Sequence, residues 1–192
     1  MVALGLEVAF GVFAIGLRWW VYWRRTGGSP FRGGAGMNGV VAVVALTAGL
    51  LVAPVLDLSD AAARIIHGAW VTGLGVAVAV LGILVTVWAQ FAMGDSWRIG
   101  VDDNERTDLV TTGPFRWVRN PIYTSMVVFA VGIALVVPNR AAFVTVAVVA
   151  AALEYHVRAV EEPYLERTHG GAYSRYASHA GRFLPGVGRL AH

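Results

Sequence analysis

Near the C-terminal end of the chain, Glu154, Arg158, Glu161 and Glu162 fall at helical spacings of three and four, which place them on one face. Charges in so apolar a stretch are costly and are either paired or functional. Two readings stand: i,i+4 ion pairs at a membrane interface, or a ligand site. Pro163 follows and, as a helix breaker without an N–H, leaves the carbonyl of Ala159 without its usual donor. A second feature lies upstream, where Asn120-Pro121 has the residue types of an N-cap and a first helical position. A helix start is expected there in any case. Its free N–H groups and positive dipole end also suit a carboxylate or a phosphate, and Tyr123 adds a hydroxyl one turn later.

Positioning these groups requires helices, and the chain is built for them. Hydrophobic residues make up 57% of its 192 residues and charged residues 14%. That balance excludes a disordered chain, a nucleic-acid-binding domain and a typical cytosolic enzyme. A bilayer core about 30 Å thick takes roughly 20 apolar residues per helix, and stretches at 4–23, 39–56, 69–93, 122–137 and 141–160 meet or approach that. Only Pro138-Asn139-Arg140 separates the last two, so they form an antiparallel hairpin. The hairpin brings the charged stripe and the Asn120 helix start to the same membrane side.

The first stretch carries its positive charges after the apolar run, at Arg18, Arg24 and Arg25, as a retained helix does and a signal peptide does not. Trp19, Trp20, Tyr22 and Trp23 read as an interfacial belt, and the helix as an anchor without chemistry. Glu7 and Arg18 share a face but lie too far apart along the axis to touch. Every basic residue of the +3 chain is arginine, which suits anionic lipid headgroups. The arginines concentrate in 24–35, in 94–121 and in the tail, all on one side of a five-span chain. The expected orientation is N-terminus outside and C-terminus in the cytoplasm. The lack of lysine suggests a GC-rich, bacterial genome, and hence the inner (plasma) membrane.

The loop 94–120 is long for a small bundle and is expected to be ordered, as a short hairpin on the membrane surface with turns at Asp102-Asp103-Asn104 and Gly113-Pro114. Gly34-Ala35-Gly36-Met37-Asn38-Gly39 satisfies GxGxxG, but a membrane span follows and no strand precedes it. It is read as a flexible linker, not as part of a Rossmann domain. The five histidines lack metal-ligand spacing and there is no cysteine, so no metal is expected.

Several of these residues together resemble the isoprenylcysteine carboxyl methyltransferase and phospholipid methyltransferase group. The resemblance runs over residues 96–185. It comprises Thr107-Asp108-Leu109-Val110-Thr111-Thr112-Gly113-Pro114-Phe115, then Arg119-Asn120-Pro121-Ile122-Tyr123, then Arg158 with Glu161-Glu162. Gly170 or Gly171, Tyr173, Tyr176 and Arg182-Phe183-Leu184-Pro185 complete it. It implies an all-α integral-membrane bundle of about five transmembrane helices, without a Rossmann domain. In such a bundle the cytoplasmic loop and C-terminal segment form a site for S-adenosylmethionine. The chain is expected to be a single membrane domain, with three spans over 1–93 and the catalytic loop, hairpin and tail over 94–192.

Carried over by motif, the implied cofactor contacts are Gly100, Thr107, Asp108, Leu109, Val110, Phe115, Asn120, Pro121, Ile122, Tyr123 and Glu162. Arg158 matches a substrate-contacting arginine. Asn120 stands where eukaryotic members usually have His, and Phe115 where they often have Tyr. An Asn still caps the helix and donates to a carboxylate, but cannot replace a titrating imidazole. Glu162 suits ribose hydroxyls, and Phe115, Leu109 and Val110 suit an adenine. The implied acceptor is a lipophilic small molecule or lipid. An isoprenylcysteine-like carboxylate needs no base, whereas a lipid amine or small thiol must lose a proton, with Glu161 the nearest base. Two other classes stay open: a membrane protein that binds a partner or lipid without catalysis, and a reductase, since sterol reductases share a related helical core.

Overall fold

A computed structural model of the chain describes residues 1–28, 51–59, 62–96 and 108–190. Among these residues the elements are helices, with only two isolated bridges, Arg64 to Asn139 and Val118 to Gly181. Helix α1 covers Val2–Thr26 and includes a π-helical stretch, Gly11–Leu17. The later helices are α2 over residues 51–58, α3 over Ala69–Ala92, α4 over Pro121–Val136, α5 over Arg140–His169 and α6 over Gly171–His179. Helices α1, α3 and α5 are long and apolar enough to cross a membrane. Helix α4 has 16 residues and rises about 24 Å, short of a bilayer core. This is an all-α membrane helical bundle. Of the expected second span, only the end falls among the described residues, and the Gly34–Gly39 linker lies outside them.

Small residues set the central contact. Hydrophobic burial gives little drive between helices in lipid, so close backbone approach must supply the contact. Gly75, Ala79 and Gly82 of α3 face α4, where a Cβ on Gly132 would lie 2.4 Å from the Ala79 nitrogen. A Cβ on Gly82 would lie 2.8 Å from the Phe129 nitrogen. The antiparallel register continues to a buried hydrogen bond of 2.7 Å between the Thr86 and Ser125 hydroxyls.

Helix α1 is more than an anchor. It lies parallel to α3, with Gln90 Nε2 donating to the Ala14 carbonyl at 2.7 Å and the Phe10 ring stacked on Phe129 at 4.4 Å. Arg18 is 2% exposed, donates to the Gly94 carbonyl and sits over the Phe91 ring. Glu7 is buried too, on the same face one span-half away. At the opposite end of the bundle the hairpin turn is as short as its sequence dictates. Asn139 Oδ1 accepts from the Ala142 N–H at 2.9 Å and caps α5, while its amide donates to the Ala53 carbonyl at 3.2 Å.

Helix α5 does not stop at Pro163. It passes through a π-helical stretch, Val157–Glu161, and continues to His169. Widening the turn before the proline accommodates a residue that has no N–H to give.

Candidate active site

The polar residues gather where α4 begins and the apolar part of α5 ends. Asn120 holds the N-cap position and Pro121 the first turn of α4. The Asn120 side chain makes no cap, however; its amide donates to the Arg182 carbonyl at 3.1 Å. A distant segment has taken the group that the local rule assigns to the helix.

That segment, 180–190, folds back against the residues leading into α4. The Arg119 N–H donates to the Gly181 carbonyl at 2.7 Å, the Gly181 N–H to the Trp117 carbonyl at 3.1 Å and the Asn120 N–H to the Arg182 carbonyl at 3.1 Å. Thr124 Oγ1 donates to the Phe183 carbonyl at 2.9 Å and Tyr176 Oη to the Phe115 carbonyl at 2.7 Å. Gly181 is required by space, because a Cβ there would lie 1.9 Å from the Leu184 oxygen.

Glu162 is the electrostatic centre of this fold-back. Its Oε1 accepts from Arg119 Nη2 at 2.6 Å and from Arg182 Nε at 2.8 Å, and its Oε2 from Arg182 Nη2 at 2.9 Å. The Arg119 side chain is 1% exposed and also donates to the carbonyls of Ala177, Ala180 and Gly188. Burial would raise the Glu162 carboxyl, but the hydrogen bonds from Arg182 and Arg119 hold it below the ordinary carboxylate value. The same bond, against an opposing effect of burial, pushes the Arg182 guanidinium up.

The charged stripe therefore divides. Glu154 pairs with Arg158, the i,i+4 ion pair expected from spacing, and Arg158 remains 59% exposed. Arg182 Nη1 lies 3.8 Å from Glu154 Oε1, so a chain of alternating charge runs from Arg158 through Glu154, Arg182 and Glu162 to Arg119. Glu161 faces elsewhere: it accepts from Tyr123 Oη and lies 3.3 Å from His156 Nε2. The hairpin thus brings Asn120 and Tyr123 together with Glu161 and Glu162, while Arg158 holds the outer end of the chain.

The incoming loop is described from Asp108. Asp108 is exposed, Leu109 and Val110 are half-buried, and Phe115 is buried in the 3-10 turn Gly113–Arg116. That turn packs beside the end of α3, with the Trp117 ring 6.2 Å from Trp88. Pro121 is buried and Ile122 half-buried in the first turn of α4. Gly100, Thr107 and the turn at Asp102-Asp103-Asn104 lie outside the described residues.

Within this cluster, Tyr173 Oη and Arg119 Nε are buried without a hydrogen bond of ordinary geometry among the described residues, and the Arg119 guanidinium is near enough to act on the Tyr173 phenol. Burial and the charge of Glu162 push the Tyr173 phenol up to about 12, so it is a neutral donor. The Glu162 carboxylate and the Tyr173 phenol, with Tyr173 ring-to-ring against the Tyr176 that bonds the Phe115 carbonyl, set polar groups beside an aromatic wall, as a ligand polar along one edge and aromatic at one end requires. Arg119, Arg182 and His156 are the participants that spacing does not reveal. Arg119 leaves one trace: a cation beside a helix N-terminus is unfavourable unless an anion meets it.

Residues 70–172 match the family described as Phospholipid methyltransferase. The chain is 27% identical over 120 residues to Protein-S-isoprenylcysteine O-methyltransferase B of Arabidopsis thaliana, an alignment covering 62% of this chain and 61% of that protein. It is 28% identical over 120 residues, with the same coverage, to Protein-S-isoprenylcysteine O-methyltransferase A of the same plant. The chain thus spans about 61% of the length of these curated relatives.

Proposed function

We propose a function from one premise: the chain belongs to the phospholipid methyltransferase family. It is a membrane methyltransferase that uses S-adenosylmethionine and acts on a lipophilic acceptor arriving from the bilayer. The observation that carries this reading is the meeting of the Asn120 helix start with Tyr123, Glu161 and Glu162 at one end of the hairpin. When bound, S-adenosylmethionine supplies a methyl group on a positively charged sulfur, open to in-line displacement.

The chain's own residues bind and align. The start of α4 receives a carboxylate through its free N–H groups. Glu162 accepts from ribose, and Leu109, Val110 and Phe115 enclose the adenine, with Gly100, Thr107, Asp108, Pro121, Ile122 and Tyr123 completing the cradle. Arg158 orients the acceptor. For an isoprenylcysteine-like carboxylate, the first choice given the relatives, the C–O bond forms as the C–S bond breaks, and no proton moves. A lipid amine or small thiol must release a proton, which Glu161 takes. Charge cancels in the transition state of an anionic acceptor, and a site at the membrane edge favours that cancellation. Alignment supplies the rest, up to about 7 to 11 kcal/mol for well-oriented reactants.

Residues 94–192 hold this site and residues 1–93 brace it, within one membrane domain. The chain lies in a bacterial inner membrane with its N-terminus outside and its C-terminus in the cytoplasm. The test is calorimetric titration of S-adenosylmethionine, with NADPH as control, into detergent-purified protein and Glu162→Ala. Saturable binding lost in the variant supports the reading. Absence of binding to folded wild type favours a lipid- or partner-binding protein, and binding of NADPH instead favours a reductase.

A further inference from the structure

An ionised carboxylate offers about four acceptor places, and the arginines occupy three of those on Glu162. Oε1 takes two donors and Oε2 takes one. Both guanidiniums come from outside α5, Arg119 from 43 residues before Glu162 and Arg182 from 20 residues after it. Arg119 is fixed by three carbonyls, and Arg182 sits in the fold-back that Gly181 permits. The Glu162 side chain keeps 13% exposure. The carboxylate is therefore locked in orientation, with one acceptor place left.

We infer that Arg119 and Arg182 are positioning residues that present Glu162 to a cofactor ribose through a single place on Oε2, so that Glu162 receives one ribose hydroxyl and not both. This rests on the methyl-donor reading above. Arg182 is the cleaner probe. Among the described residues its side chain forms ion pairs with Glu162 and Glu154, whereas that of Arg119 also ties down three carbonyls of the closing segment.

The experiment titrates S-adenosylhomocysteine and its 2′-deoxy and 3′-deoxy analogues into the detergent-purified full chain, with Tm recorded for every variant. Failure of folded wild type to bind S-adenosylhomocysteine sinks the methyl-donor reading itself. Given binding, Arg182→Gln is expected to weaken it by about tenfold or more, the scale of a lost charge-assisted hydrogen bond, and Arg182→Lys to recover part of the loss. Wild-type affinity in Arg182→Gln overturns the positioning role and leaves the methyl-donor reading intact. If Arg182→Gln fails to fold, Arg182→Lys is read instead, since it keeps the charge but not the fork.

A structural role alone would not change the pH profile of binding. The groups facing Glu162 are Arg119 before α4, Arg182 in the closing segment, Tyr173 on α6 and, through Arg182, Glu154 on α5. With Arg182 gone, affinity is expected to begin falling at a higher pH than in wild type, and an unchanged profile counts against the proposal. Double-mutant cycles between Glu162→Gln and each missing hydroxyl isolate the shared interaction. Coupling to one hydroxyl is expected; coupling to both, or to neither, overturns the single-place assignment. If Glu162→Gln fails to fold, the same cycles are run with Arg182→Lys.

Discussion

At the residue scale, Glu162 and Arg158 carry opposite expectations although they lie one helical turn apart. Arg158 is 59% exposed and its pair with Glu154 is open to water. Such pairs contribute about 0 to 1 kcal/mol, so Arg158→Ala should leave Tm within a few degrees of wild type. If it orients the acceptor, its loss appears as a raised KM for that acceptor with cofactor binding intact. Glu162 is depressed in the folded state by Arg182 and Arg119. Its contribution to stability is therefore fully present above the unfolded carboxyl pKa of about 4.3 and is lost as pH falls below that toward the folded value. Thermal unfolding between pH 7 and pH 3 should show that loss, and Glu162→Gln should flatten this part of the profile. Asn120→Ala removes a buried hydrogen bond to the Arg182 carbonyl, worth about 1 kcal/mol, and should weaken S-adenosylmethionine binding in calorimetry while the protein still folds. That Asn120-Pro121 begins a helix is legible in the sequence, because the cap rule involves adjacent residues. That the Asn120 amide serves Arg182 is not, because its partner lies 62 residues away.

Among the elements, the α3–α4 pair is the joint on which the site rests. Gly132→Ala would place a methyl 2.4 Å from the Ala79 nitrogen, against backbone that cannot turn aside. Overpacking of this kind costs about 1 to 3 kcal/mol, and the variant's Tm in detergent should fall accordingly. Gly73→Ala is the control, because nothing lies within 4 Å of its added Cβ. The apolar runs of α3 and α5 are legible as spans, and the Pro138-Asn139-Arg140 turn is legible as a hairpin, because length and turn chemistry decide both. The behaviour of α5 beyond Val160 is not legible. Pro163 reads as a stop, but the π-helical stretch Val157–Glu161 lets the helix continue and turns Glu161 toward Tyr123 while Glu162 meets Arg182. Spacing rules assume an unbroken α-helical period, which that stretch does not have.

Across the whole molecule, one end holds the hairpin turn, where the Asn139 amide donates to the Ala53 carbonyl and the Ile65 N–H to the Pro138 carbonyl. The other holds the charge chain and the closing segment. In the orientation proposed above the latter faces the cytoplasm, so a reporter fused at the C-terminus should be active there and one fused at the N-terminus should not. The closing segment 171–190 is the least legible part of the fold. It has no apolar run to mark it, and its order comes from contacts with Trp117, Arg119 and Asn120. Helix α5 adds a geometric consequence. From Arg140 to Glu162 it climbs about 33 Å at the usual helical rise, close to the hydrocarbon thickness of about 30 Å. Seated with Arg140 at one boundary, it delivers Glu162 to the other. On the proposed function, a water-soluble donor and an oil-soluble acceptor would then meet without either leaving its own medium, and the protein would work as a phase-transfer catalyst. Its turnover should follow the mole fraction of acceptor in the lipid or detergent phase, and not its bulk concentration.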